Sequence, residues 1–324
     1  MIPFHGSQYP GQGGHYESWF VRANHPCRAR AFWIRYTRFM AADGRPSMGE
    51  LWAIAFDGDR PPVAVKEEFP LSRCHFAATD LAVDLADNRL REGALSAAAA
   101  LGGHRLRWSL TYQGGGAPLL LLPEDRYRAA FPKAKSLVSR PAVRFHGTLE
   151  VDGETWPVDG WPGSENHNWG RRHTDQYAWG QVAAFDDHPE AFLECATARV
   201  WMGPVPTPWM SLAVLRLDGR DYRFNRVGQA LRARGRYRFF EWRLRSRGPD
   251  GRLDFTVSAP PARFTALTYL NPPGGHKTCL NSKLATARAR LTRPDGRVVE
   301  LNSASGAAFE ILTDREDHGV PPGV

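Results

Sequence analysis

What this chain lacks narrows the field first. No apolar run approaches the ~20 residues that a membrane-spanning helix needs. The opening Met1-Ile-Pro-Phe-His-Gly has neither the basic nor the apolar region of a secretory leader. Cysteine is scarce: Cys27, Cys74, Cys195 and Cys279 stand far apart, with no CxxC or other metal-ligand spacing. They read as reduced thiols of a cytoplasmic protein and not as a disulfide framework. No Gly-x-Ser-x-Gly elbow offers a serine nucleophile. The glycine run at 114–116 has neither a βαβ context nor a P-loop lysine, so a nucleotide cofactor is not expected. Long amphipathic helical patterns are rare too.

Short strands fill the space that helices leave. Residues 16–22, 31–37 and 49–56 are rich in aromatic and β-branched side chains, and each is bounded by turn residues. The dipeptide Asp-Gly recurs at Asp57, Asp152, Asp218, Asp250 and Asp295, flanked by alternating apolar residues, which is a strong hairpin signal. Only residues 90–101, with their alanines, and 124–131, ending before Pro132, read as short helices. The pattern predicts an all-β chain of antiparallel barrels or sandwiches. With 324 residues and the strand rhythm in both halves, two units are expected, 1–172 and 173–324.

The net charge of +8 raises the question of nucleic acid. The arginines are scattered, however, and the densest group, at 232–238, alternates with smaller and aromatic residues. That pattern puts arginines on the wet face of a strand, and no nucleic-acid partner is expected.

One segment, Gly163-Ser-Glu-Asn-His-Asn-Trp-Gly-Arg-Arg-His-Thr-Asp175-Gln-Tyr-Ala-Trp-Gly180, concentrates groups that suit a pocket better than a plain core. Aromatic walls can hold an apolar ligand while a few polar groups orient or protonate it. Glu165, His167, His173 and Asp175 share one parity and contain metal donors. Gly170 and the Asn-rich run argue against a continuous strand, though, and HxxxH spacing is absent, so no metal is expected.

Gly14-His-Tyr-Glu17-Ser-Trp19-Phe near the start resembles the acidic-aromatic opening strand of the tandem lipocalin-like proteins. These include carotenoid 1,2-hydratases (hydroxyneurosporene synthases), tocopherol cyclases and fungal pericyclases. Gly163-x-x-x-His167-Asn168-Trp169-Gly170, followed by Tyr177-Ala-Trp179-Gly-Gln-Val, is similar to their junction motif, in which a Gly-rich turn precedes the second barrel. Cys279-Leu-Asn-Ser282 and the hairpins between Leu291 and Ile311 fit the closing strands. The resemblance implies two lipocalin-like barrels or half-barrels packed face to face around an apolar cavity. It also implies acid-assisted chemistry without metal or organic cofactor.

Glu17, between Tyr16 and Trp19, reads either as an acid kept protonated by aromatic burial or as a carboxylate paired with Arg22 or Arg35. His167 reads as a cavity-facing acid, base or donor, or as an imidazole tying down a turn. Asp175 lies near Arg171 and Arg172, which would hold it ionised and suit it to a basic or orienting role. Trp19, Trp33, Tyr36, Asn168, Trp169, Tyr177 and Trp179 complete the candidate set as substrate-binding walls. The expected function is that of a hydratase, cyclase or isomerase acting on an apolar isoprenoid- or polyketide-like molecule. The alternative is a carrier with the same cavity and no chemistry.

Overall fold

The Asp-Gly pairs do set hairpins. In the computed structural model, which describes residues 5–324, Asp152 and Gly153 have φ of 50° and 87°, and Asp218 and Gly219 have 53° and 72°. Two successive positive φ values define a type I′ turn, whose twist matches that of the strands it joins. These turns connect Ala134–Val151 to Glu154–Gly170 and Met210–Leu217 to Arg220–Phe224, each an antiparallel pair.

Among the described residues the strands form two large antiparallel sheets and one small hairpin. The first sheet has eleven strands and runs outward in both directions from a central pair, His15–Asn24 and Glu154–Gly170. One edge strand, Arg60–Pro70, comes round to Ala94–Leu101 near the other end of the sheet: the backbone N–H of Ala100 donates to Glu67 Oε1 at 2.9 Å, and the barrel is nearly closed. Trp19, Phe32, Tyr36, Trp108, Phe145 and Trp161 fill its interior. The second sheet has ten strands and is built around Gln176–Val182, Val298–Thr313 and His276–Thr292. Trp242, Phe255, Phe224 and Phe309 sit in its core.

A third apolar cluster lies between the sheets, where Phe20, Trp33, Trp52, Ile54 and Phe56 of the first meet Trp179, Tyr269, Cys279 and Leu312 of the second. The central strands of the first sheet are therefore covered on both faces, and all ten residues of His15–Asn24 are buried. A strand buried on both sides loses the apolar-polar alternation of an ordinary half-exposed strand. Polar residues on the second face are satisfied across the interface. Ser164 Oγ donates to Gln181 Oε1 (2.7 Å), Gln181 Nε2 to Asn166 Oδ1 (2.8 Å) and Asn24 Nδ2 to the carbonyl of Lys283 (2.7 Å).

Three local expectations change. Residues 90–101 contain no helix: Ala94–Leu101 is a strand paired with His104–Gly114, because cross-strand pairing overrides the helix preference of alanine. Residues 124–131 contain only a single 3₁₀ turn, Glu124–Tyr127. The junction segment is no turn, since Glu154–Gly170 is one strand to its end. Its glycines serve close approach: a Cβ on Gly163 would stand 2.1 Å from the Arg22 carbonyl oxygen and 2.9 Å from Ala23 Cβ.

Because the obstacle at Gly163 is backbone, the neighbouring strand must move to admit a side chain. Gly163→Ala is expected to destabilise the protein by about 2–3 kcal/mol, read as a lower denaturant midpoint at unchanged slope. An unchanged midpoint would show that the central pair yields without cost.

Candidate active site between the two sheets

The alternation of the central strands divides the candidate residues into two groups. On His15–Asn24, Trp19, Val21 and Ala23 point into the first barrel, while Phe20 points to the second sheet. On Arg30–Met40, Phe32, Ile34 and Tyr36 point inward and Trp33 outward. The outward sets, with residues of the second sheet, enclose a cavity of about 410 Å³.

Its inner wall holds Tyr16, Phe20, Trp33, Arg35, Tyr177, Trp179, Tyr269, His173 and Glu310. Phe131 and Val227 also line it and are themselves exposed, so they mark its mouth. Of the wall residues expected from sequence, Trp33, Asn168, Tyr177 and Trp179 lie on this cavity. Trp19 and Tyr36 belong instead to the barrel core, and Trp169 packs with Tyr127 and Leu137.

Glu17, His167 and Asp175 do not line the cavity. Glu17 is inside the barrel wall, accepting from Ser7 Oγ (2.6 Å) and the Gln8 backbone N–H (2.5 Å), with His167 Nε2 2.9 Å from its Oε1. Burial alone would raise its pKa, but the His15 imidazole 3.7 Å away, hydrogen bonds from His167 and Ser7 and the charge of His167 outweigh burial and hold it at about 2. Such a carboxyl is ionised at neutral pH, the opposite of the protonated acid that its aromatic neighbours suggest. His167 stacks on Trp19 with ring centroids 5.0 Å apart and packs against Trp169 at 4.7 Å. It faces the barrel, not the cavity, because the strand runs unbroken through it. Asp175 pairs with Arg172 (2.5 Å) and accepts from the Trp201 backbone N–H (2.8 Å), which ties down residues 171–175 between the two sheets.

Several chemistry-bearing groups on the cavity come from outside the motifs. Glu310 Oε1 accepts from Lys283 Nζ (2.8 Å) and Asn281 Nδ2 (3.1 Å). Its other oxygen, Oε2, has only long contacts among the described residues, with the Tyr177 hydroxyl donating at 3.4 Å and Cys279 Sγ at 3.7 Å. Burial, then the neighbouring Cys279 and Glu310, push the Tyr177 phenol well above its ordinary value, so it remains a donor. His173 is stacked on Tyr16 at 3.9 Å, and burial together with the Arg35 charge pushes its pKa down to about 3. It is a neutral imidazole at physiological pH.

Glu194 lies one step behind the wall, accepting from Trp179 Nε1 at 3.0 Å. Burial raises its pKa to about 7, against the lowering effect of that bond. The sequence signal for both acids was an isolated glutamate inside an apolar run, Phe192-Leu-Glu-Cys and Ala308-Phe-Glu-Ile.

No family model matches this chain. It is 27% identical over 286 residues to the uncharacterized proteins MT0513 and Rv0493c of Mycobacterium tuberculosis, covering 88% of this chain and 83% of each relative. Among solved structures it is similar to kievitone hydratase from Nectria haematococca (TM-score 0.59, 12% identity, 97% of this chain and 92% of that one). A protein assigned as AttH (NE1406) from Nitrosomonas europaea aligns with TM-score 0.57 and 14% identity over 96% and 98% of the two chains. CghA with Sch210972 aligns with TM-score 0.54 and 13% identity over 93% and 88%. The fold is that of the tandem lipocalin-like proteins. At these identities the likeness speaks for the fold and leaves the chemistry to the residues.

Glu194 supplies a test of the electrostatics. Its pKa lies higher in the folded than in the unfolded protein, so the folded state holds the extra proton between pH 4.5 and about 7. Stability must then fall as pH rises through that window and level off above it. The interval corresponds to a ceiling of about 3 kcal/mol. Glu194→Gln is expected to match the wild type near pH 4.5 and to exceed it by up to that amount at pH 8, measured by urea denaturation at both values. An equal difference at both pH values would show that Glu194 is not held neutral.

Proposed function

We propose that this chain is a cofactor-free acid/base enzyme, a hydratase, cyclase or isomerase, that transforms an apolar isoprenoid- or polyketide-like molecule in the cavity between its sheets. The observation that carries the reading is Glu310 on the wall of a mostly aromatic cavity. One of its oxygens is held by Lys283 and Asn281, and the other has only long contacts to Tyr177 and Cys279. An oxygen with no short hydrogen bond is available to take a proton from a bound substrate. The anchored oxygen fixes the direction of the carboxylate.

Tyr177 supplies the complementary donor. Its phenol stays protonated and sits beside the carboxylate, so it can donate to an oxygen on which charge develops. Trp33 and Trp179 offer π faces to a substrate that acquires positive charge. His173 remains neutral and serves as a hydrogen-bond partner without adding charge. Taking a proton from a carbon, a hydroxyl or an attacking water, and delivering one to a carbon of the substrate, are the elementary steps shared by isomerisation, hydration and acid-assisted cyclisation. The fold likeness to a protein named kievitone hydratase supports an enzyme over a carrier.

Native mass spectrometry and organic extraction of the protein from its own host are expected to release an apolar small molecule. With that compound or its precursor as substrate, Glu310→Gln and Tyr177→Phe should bind within a few fold of the wild type. Each should lose about 10²–10⁴-fold in turnover. Full activity in both variants would sink the assignment, and binding without any wild-type turnover would favour the carrier.

A further inference from the structure

Arg35 is the buried cation among the described lining residues of the cavity. It is 3% exposed, on a strand whose neighbouring residues are aromatic and aliphatic. Its Nε donates to Ser18 Oγ at 2.8 Å, and its guanidinium carbon lies 4.4 Å from the centroid of the Tyr269 ring. Among the described residues it forms no salt bridge, and its terminal nitrogens have no hydrogen-bond acceptor. Glu50, whose charge it feels, is instead paired with Lys66 at 2.9 Å. The cavity's own carboxylate, Glu310, is taken by Lys283 at 2.8 Å.

Burial works against the Arg35 charge, and the ring of Tyr269 and the more distant charge of Glu50 favour it without supplying an ion pair. The polar side chains that line the cavity beside it add no negative charge. Burial keeps the phenols of Tyr16, Tyr177 and Tyr269 protonated, and His173 is neutral. The remaining charged lining residues, Arg126, Lys135 and Arg199, are all basic. A ligand anion is the missing partner.

We infer that the cavity selects an apolar molecule bearing an acidic group, a carboxylate or an ionised enol or phenol, and that the Arg35 guanidinium receives this anion at the inner end while the hydrocarbon part lies among Phe20, Trp33 and Trp179. This rests on the reading of the cavity as the ligand site and specifies the substrate class. The guanidinium fork is suited to grip two oxygens of one planar anion. Anchoring that end would hold the rest of the molecule at a fixed distance from Glu310 and Tyr177.

Dodecanoate and 1-dodecanol are a matched pair of probes, sharing a chain of a size this cavity holds and differing in the head group. The anion is the better hydrated of the two, so an apolar cavity lacking a cation favours the alcohol. Binding to the full-length protein at pH 8, followed by quenching of tryptophan fluorescence and by calorimetry, is expected to be at least about tenfold tighter for dodecanoate. Arg35→Met should reverse or abolish that preference while still binding the alcohol, and Arg35→Lys should retain part of it. Equal binding of both probes by the wild type, or a preference that survives Arg35→Met, would overturn the inference and leave the cavity reading standing. Failure of both probes to bind the wild type would instead count against the cavity itself. The wild-type comparison decides even if the methionine variant does not fold.

Discussion

The rest of the structure depends on the burial of a few central strands on both faces. His15–Asn24 and Glu154–Gly170 form the wall of one barrel and, with their outer faces, the floor against which the second sheet packs. Side chains on a strand alternate between faces. A single run of residues therefore serves two compartments, and a one-residue shift would exchange their contents. Register is held by close glycine contacts and by the cross-sheet bonds of Ser164, Asn166 and Asn24. Arg22, fully buried on the outer face, adds bonds to Asn24 and to the Gly306 carbonyl (2.9 Å), and burial lowers its pKa to about 9. The outer face is thus polar at the bonded end and aromatic at the cavity end.

Two buried glutamates show how the compartments set charge. Glu17 in the barrel wall has imidazoles and N–H and O–H donors around it, and these more than offset burial. Glu194 behind the cavity wall has one indole N–H and an oxygen without a partner, and burial prevails. The residue type is the same and the ionisation states at neutral pH differ, because a carboxyl in low dielectric takes the state its donors can support. Proximity to aromatic rings alone therefore does not make an acid a proton donor.

This is also why the fold was more legible in the sequence than the site. Strand rhythm and Asp-Gly turns depend on local chemistry, and both survive in the structure at Asp152 and Asp218. The site depends on which face each residue takes, and that was obscured where glycine and asparagine cluster at 163–170. Those residues read as a turn, whereas at Gly163 and Gly170 the backbone carbonyls of Arg22 and Lys133 stand 2.1 and 2.4 Å from where a Cβ atom would be. Reading the segment as a turn put His167 in the cavity, while the strand puts it on the barrel face beside Glu17. Asn168, Tyr177 and Trp179 were placed on the ligand side, and the cavity wall includes them. Arg35, Lys283 and Glu310 left a fainter trace, a single charge within an apolar strand. Such a charge marks a strand buried on its second face as readily as a functional group, and only the tertiary packing tells the two apart.

The same architecture explains why likeness of fold leaves the reaction open. Each of the two large sheets has its own core, with Trp19, Trp108 and Trp161 among the large members on one side and Trp242, Phe255 and Phe309 on the other. The cavity wall belongs to neither core. A change at Arg35, Tyr177 or Glu310 alters the lining without removing a group that either barrel needs for its interior packing. Proteins with this fold can therefore share their barrels while differing in the charge and shape presented between them. Under the proposed function, specificity rests on the few wall residues that neither core requires, and Arg35, a buried guanidinium without an ion pair among the described residues, is one of them.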